Sequence, residues 1–183
     1  MRVFRSLLLV VVLVGLGGCH APPTSPRALP STSSVLTSED EALAAATDTY
    51  ERFLSLSNQI LNDGGTNPER IDAIAAPAIS DVERAGYADI AVTGHRYLGQ
   101  AKLSSAALQS WSRVPDRLGV VAVIHACVDL SETDVVDSTG SSIVAPERAP
   151  LSAWEIGISP NTKDDPPFLI AVKNRIESSS RCE

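Results

Sequence analysis

The sequence predicts an α+β domain, and three observations predict it. A helical apolar pattern more than five turns long opens the folded part. Two shorter helical segments follow it. From about residue 90 onward, apolar residues recur in strand-like runs separated by turn residues. Helices grouped first and strands grouped after them favour helices packed on a mainly antiparallel sheet.

The first helix has a marked start and stop. Ser38-Glu39-Asp40-Glu41 is a capping box, in which Ser38 caps, Glu41 reaches back and the acidic first turn suits the helix dipole. Leu43, Ala46, Tyr50, Phe53, Leu54, Ile60 and Leu61 share one face, while Asp48, Glu51, Arg52 and Asn58 face elsewhere. Asn62-Asp63-Gly64-Gly65 ends it. Asn67-Pro68-Glu69 opens a second helix, with Ile71, Ile74 and Ala75 on its apolar side, and Pro77 ends or kinks it. A third short helix is expected over residues 78–88, carrying Ile79, Val82 and Tyr87 inward. Strands are expected over 91–97, 101–111, 118–130, 134–137 with 142–145, 151–159 and 167–176. In the third of these, Val120, Ala122, Ile124, Ala126 and Val128 face the helices, and His125, Cys127 and Asp129 face away together.

The order of elements over about residues 40–183 resembles the NTF2-like, or cystatin-like cone, fold. Cys127-Val128-Asp129, the approach Asp134-Val135-Val136-Asp137 and a near-terminal Cys182 are similar to secreted lipoproteins of high-GC Gram-positive bacteria that carry such a domain. The resemblance implies a curved sheet wrapped on the long helix. Enzymes of this fold, such as ketosteroid isomerases, place an acid or His inside the cone, where burial would raise a carboxylate's pKa. Tyr50, Phe53, Tyr97, Trp111 and Trp154 are the candidate lining, and Asp89 or Glu155 the candidate acid. None forms a recognisable active-site motif, and core packing also accounts for the aromatics.

The first residues have a different character. Arg2 and Arg5 precede a nearly unbroken apolar run, and Leu16-Gly17-Gly18-Cys19 closes it. The run is too short for a membrane span of about 20 residues. This stretch resembles a bacterial lipoprotein signal peptide with its lipobox. The resemblance implies cleavage after residue 18, diacylglycerol on the Cys19 thiol and a mature protein lipid-anchored on the extracytoplasmic face of the cell membrane. Two acyl chains anchor stably where one does not. Residues 19–37 then form a tether containing Pro22, Pro23, Pro26 and Pro30 among Ser and Thr, and 38–183 form one domain.

Assigning Cys19 to lipid leaves Cys127 and Cys182, an even pair in an oxidising compartment, and a disulfide is the expectation. A thiolate nucleophile or a metal pair is the alternative, and His125, Cys127 and Asp129 on one face are its attraction. A disulfide removes the thiolate, and one His supplies one of the three or four ligands a metal needs. His95 and His20 lack partners at meaningful spacing. Asp129, Glu132, Asp134 and Asp137 cluster, yet match no calcium-loop template. No cofactor is expected. The formal charge of −7 disfavours nucleic acid and anionic lipid as partners.

The function expected is therefore a binding or interaction domain for a partner protein, a cell-wall component or a small apolar ligand, more readily than an enzyme. The alternatives are an NTF2-like pocket enzyme of isomerase, lyase or hydrolase type, or a structural subunit of a cell-envelope assembly.

Overall fold

A computed structural model describes residues 36–163, 165–177 and 182. Cys19, His20, the signal-like stretch and most of the tether lie outside the described residues. Helix α1 (Glu39–Asn62) begins as the capping box requires: Ser38 Oγ accepts from the Glu41 amide, and the Glu41 carboxylate accepts from the Thr37 amide and hydroxyl. A 3-10 turn (Pro68–Ala73) leads to helix α2 (Pro77–Thr93). Strands β1 (Arg96–Leu98), β2 (Lys102–Trp111), β3 (Ala122–Asp129), β4 (Asp134–Val136), β5 (Leu151–Pro160) and β6 (Phe168–Ile176) follow.

All strand pairs between these elements are antiparallel. They form a four-stranded sheet in the order β2-β3-β5-β6 and a small β1-β4 ribbon, so the sheet is open, with two edges. Helix α1 packs across β2, β3, β5 and β6, and also touches β1. Tyr50, Phe53 and Ile60 from the helix meet Ile124, Ile156, Ile158 and Ile170 from the sheet, all essentially without exposure. This is the core, and it runs the length of α1.

The structure corrects several expectations. Pro77 neither ends nor kinks a helix: it is the first residue of α2, where its fixed φ suits helix entry and its missing N–H costs nothing. The strand expected over 91–97 begins as helix and only ends as strand. α2 continues to Thr93, stops at Gly94 with φ +69°, and only Arg96–Leu98 is strand. Ile90-Ala91-Val92 has the composition of a strand, but the helical hydrogen-bond ladder simply continues through it. Residues 142–145 contribute one bridge, Val136 with Ser142, and no strand.

Residues 118–121 likewise belong to a loop. Asp116 Oδ1 accepts from the Leu118 and Val120 amides at 2.8 Å each, which bends the chain before β3 begins. Within β3 the expected alternation holds. Ala122, Ile124, Ala126 and Val128 are buried towards α1, while Val123, His125 and Asp129 are half-buried on the other face. Cys127 shares that outer face but is buried, because Cys182 is bonded to it, with the sulfurs 2.13 Å apart.

The β1–β2 connection is fixed to α1 by two asparagines one helical turn apart. Asn58 donates to the Ala101 carbonyl at 2.8 Å and accepts from its amide at 3.0 Å; Asn62 donates to the Gly99 carbonyl at 3.1 Å. Gly99 has φ +81°, and a Cβ there would lie 1.9 Å from the Glu132 carbonyl oxygen, so only glycine fits.

Candidate ligand-binding cleft

The core leaves one small opening among the aromatic residues. A cleft of about 140 Å³ lies between the second half of α1, β1 and the inner faces of β3, β5 and β6. Tyr50, Phe53, Tyr97 and Trp154 line it, as the lining reading expects. Trp111 does not: it sits at the far end of β2, beside the 112–121 loop. The interior itself is filled, since Tyr50 and Phe53 are 1% exposed and serve as core.

Neither candidate acid reaches this cleft. Asp89 is exposed on α2. Glu155 stands opposite His125 on the outer face of the sheet, where it accepts from Asn174 Nδ2 at 3.0 Å. Alternation along β5 explains this: Trp154 points in, so Glu155 points out.

The charged group that lines the cleft is Lys173 on β6, and it is paired with Glu83 on α2. Lys173 Nζ lies 2.5 Å from Glu83 Oε1, and the two side chains are only 17% and 14% exposed. The ammonium also lies 4.8 Å from the Trp154 ring centre and 5.1 Å from that of Phe53. Such cation–π contacts strengthen as water is excluded. Tyr87 joins the network, with its hydroxyl 2.9 Å from Ser57 Oγ and 3.2 Å from Glu83 Oε2. Burial raises the pKa of both Tyr50 and Tyr87 above the ordinary phenol range, and the charge of Glu83 acts in the same direction. Both phenols are therefore neutral donors at physiological pH. Trp154 Nε1 donates to Ser152 Oγ at 2.9 Å, which fixes the indole at the cleft wall.

Sequence reasoning missed Lys173, Glu83, Tyr87 and Asn58 as a set. One signal was present: Lys173 interrupts the apolar run Phe168-Leu169-Ile170-Ala171-Val172 of a strand facing the core. Its partner, 90 residues earlier, leaves no local trace.

The remaining candidates are spread over other surfaces. On the outer face, His125 Nδ1 lies 2.6 Å from Gln109 Nε2. With Glu155 and Asn174 they form a polar row across the four strands. His95 is half-buried before β1. The four clustered acids are engaged in local structure. Asp129 accepts from the Ser131 amide, Glu132 pairs with Lys102, Asp134 accepts from Ser142, and Asp137 accepts from Thr139 and Ser141. Among the described residues, no group of three or more His, Cys, Asp or Glu is placed to hold a metal ion. No helix among them is long and apolar enough to cross a membrane. A larger opening of about 430 Å³ separates the start of α2 from the β5–β6 connection. Its central cation, Arg84, is held between Asp72 and Asp81.

Comparison with known proteins places the fold and no more. No family model matches the chain, and no curated protein matches it either. Among solved structures, the intermembrane space region of the chloroplast protein ARC6 superposes with a TM-score of 0.54 at 10% identity, covering 74% of this chain and 97% of that one. A de novo designed β-sheet protein, solved in solution, matches with a TM-score of 0.33 at 10% identity, covering 76% and 92%.

Proposed function

We propose that the chain is a lipid-anchored, extracytoplasmic domain of the NTF2-like cone type that binds a partner protein by accepting one of its apolar side chains in the aromatic cleft. The observation that carries the binding reading is the cleft itself. At about 140 Å³ it is smaller than the roughly 300–1,000 Å³ typical of a small-molecule site. Four aromatic rings stand among aliphatic and small polar residues in its walls, and the cation that lines it, Lys173, is already paired. A socket of that size suits a single anchoring side chain, the usual centre of a protein interface.

The cone assignment rests on element order and on the long helix lying across an antiparallel sheet. The anchor rests on the sequence Leu16-Gly17-Gly18-Cys19 and the Pro/Ser/Thr tether behind it. The pocket-enzyme alternative gains no support from the geometry, because both of its candidate acids lie away from the cleft.

Two experiments test the proposal. Cys19→Ala should move the protein out of the membrane fraction, and retention there would refute the anchor. A photo-cross-linking residue at Tyr97, on the cleft rim, should give a discrete adduct in living cells. That adduct should disappear when Leu54→Arg fills the cleft; an adduct indifferent to Leu54→Arg, or no adduct, would refute the socket.

A further inference from the structure

The two edges of the main sheet differ. At β6, the segment 74–76 covers the outside: Ile170 donates to the Ile74 carbonyl at 2.9 Å and accepts from the Ala76 amide at 2.8 Å. At β2, no strand among the described residues pairs on the far side. β2 runs for 10 residues and contains no proline. From Leu103 to Trp111 it carries no charge, in a chain of net charge −7. Edges left open are normally kept short, charged, bulged or interrupted by proline; this one is long and proline-free, with one charge at its first residue, Lys102, and two register shifts against β3.

Its pattern is also symmetric. Two register shifts, at Leu103/Ser105 and Leu108/Ser110, alter the simple alternation of β2. The half-buried residues facing α1 become Leu103, Ala106, Leu108 and Trp111, and those between them are exposed. That order reads the same in both directions about Ala107. A groove of about 300 Å³ lies beside the Leu103 end, walled by Glu51, Leu54, Ser55 and Gln59 of α1. Trp111 lies at the opposite end of the strand.

The geometry points to a second copy of this chain as the occupant of the β2 edge, paired antiparallel about a two-fold axis through Ala107. A two-fold interface must be self-complementary, and antiparallel pairing opposes residues from the two ends of the strand. Centring on Ala107 opposes Leu103 with Trp111 of the second copy and Ala106 with Leu108. Each Trp111 then lies across from Leu103 of the second copy, on the α1 side of the joined sheet. The absence of charge along this edge spares two acidic molecules from opposing like charges. The pairing joins two four-stranded sheets into one and requires nothing of the aromatic cleft.

The full chain carrying Cys19→Ser, kept in mild detergent, should sediment as a concentration-dependent dimer. Ala107→Lys sets two ammonium groups against each other on the axis. It should return the protein to monomer with its near-ultraviolet dichroism unchanged and its melting temperature no longer dependent on concentration. Ala107→Cys should form an intermolecular disulfide on mild oxidation, because self-opposed residues lie about 5 Å apart. Ser110→Cys should not, because its two copies fall on opposite sides of the axis. A monomer at every concentration, a dimer that survives Ala107→Lys, or equal cross-linking at positions 107 and 110 would each overturn the inference.

Discussion

The two faces of the main sheet are stabilised in different ways. The inner face is a continuous apolar surface in which Ile124, Ile156, Ile158 and Ile170 are 0% exposed beneath α1. Among the described residues, no helix packs on the outer face. Its order comes from a polar row through Gln109, His125, Glu155 and Asn174, and from one covalent bond. β6 ends at Ile176 opposite Ala153, which lies opposite Cys127 on the next strand. The bond from Cys182 to Cys127 therefore brings the chain end back from the edge strand to the centre of the sheet. One face is held by exclusion of water, the other by closing a loop of 55 residues.

The comparison can be broken from either side. Phe53→Ala should have the largest effect, about 4 kcal/mol in urea unfolding, because it opens a cavity in the core and removes one ring from beneath Lys173. A loss below about 1 kcal/mol would mean that α1 repacks and the inner face is not a close-fitting core. Cys182→Ala should cost about 3 kcal/mol, since it frees a loop of 55 residues in the unfolded chain. Reducing agent should destabilise the parent protein by the same amount and leave the variant unaffected.

Alkali should act mainly on the inner side. Tyr50 and Tyr87 have folded pKa values raised above the ordinary 10.0, so the unfolded chain loses its phenolic protons first. Their contribution is complete below pH 10.0 and is lost as the pH rises beyond it, on the order of 1 kcal/mol each one unit above. Tyr50→Phe with Tyr87→Phe should flatten that decline in a pH series of denaturation curves. The smallest effect is expected on the outer row: His125→Ala should change stability by less than about 0.5 kcal/mol. A larger loss by the same measurement would show that the polar row is itself a structural element.

How much of this was legible follows from how local each cause is. α1 was readable because its cap, its apolar stripe and its stop all lie within the segment itself. The inward and outward sets of β3 were readable because strand alternation is local. The last turn of α2 was not, because Ile90-Ala91-Val92 suits either state and the preceding helical turns decide it. Tyr50, Phe53, Tyr97 and Trp154 could be named as lining, since few aromatics exist to choose from. Their placement with Lys173 and Glu83 depends on contacts across 90 residues, and no pattern in either segment encodes it.

The entry of the chain into α1 has a mechanical consequence. Leu36 is 7% exposed within the core cluster, Thr37 is held by Glu41, and the Thr37 carbonyl accepts from Arg113 at 3.2 Å. A pull on the preceding chain is thus borne first by a buried leucine and by a clamp reaching the loop after β2. Through Glu41 the load also passes to the first turn of the helix, which shares it with the core and that loop. The junction works as a cleat at the entry to the domain.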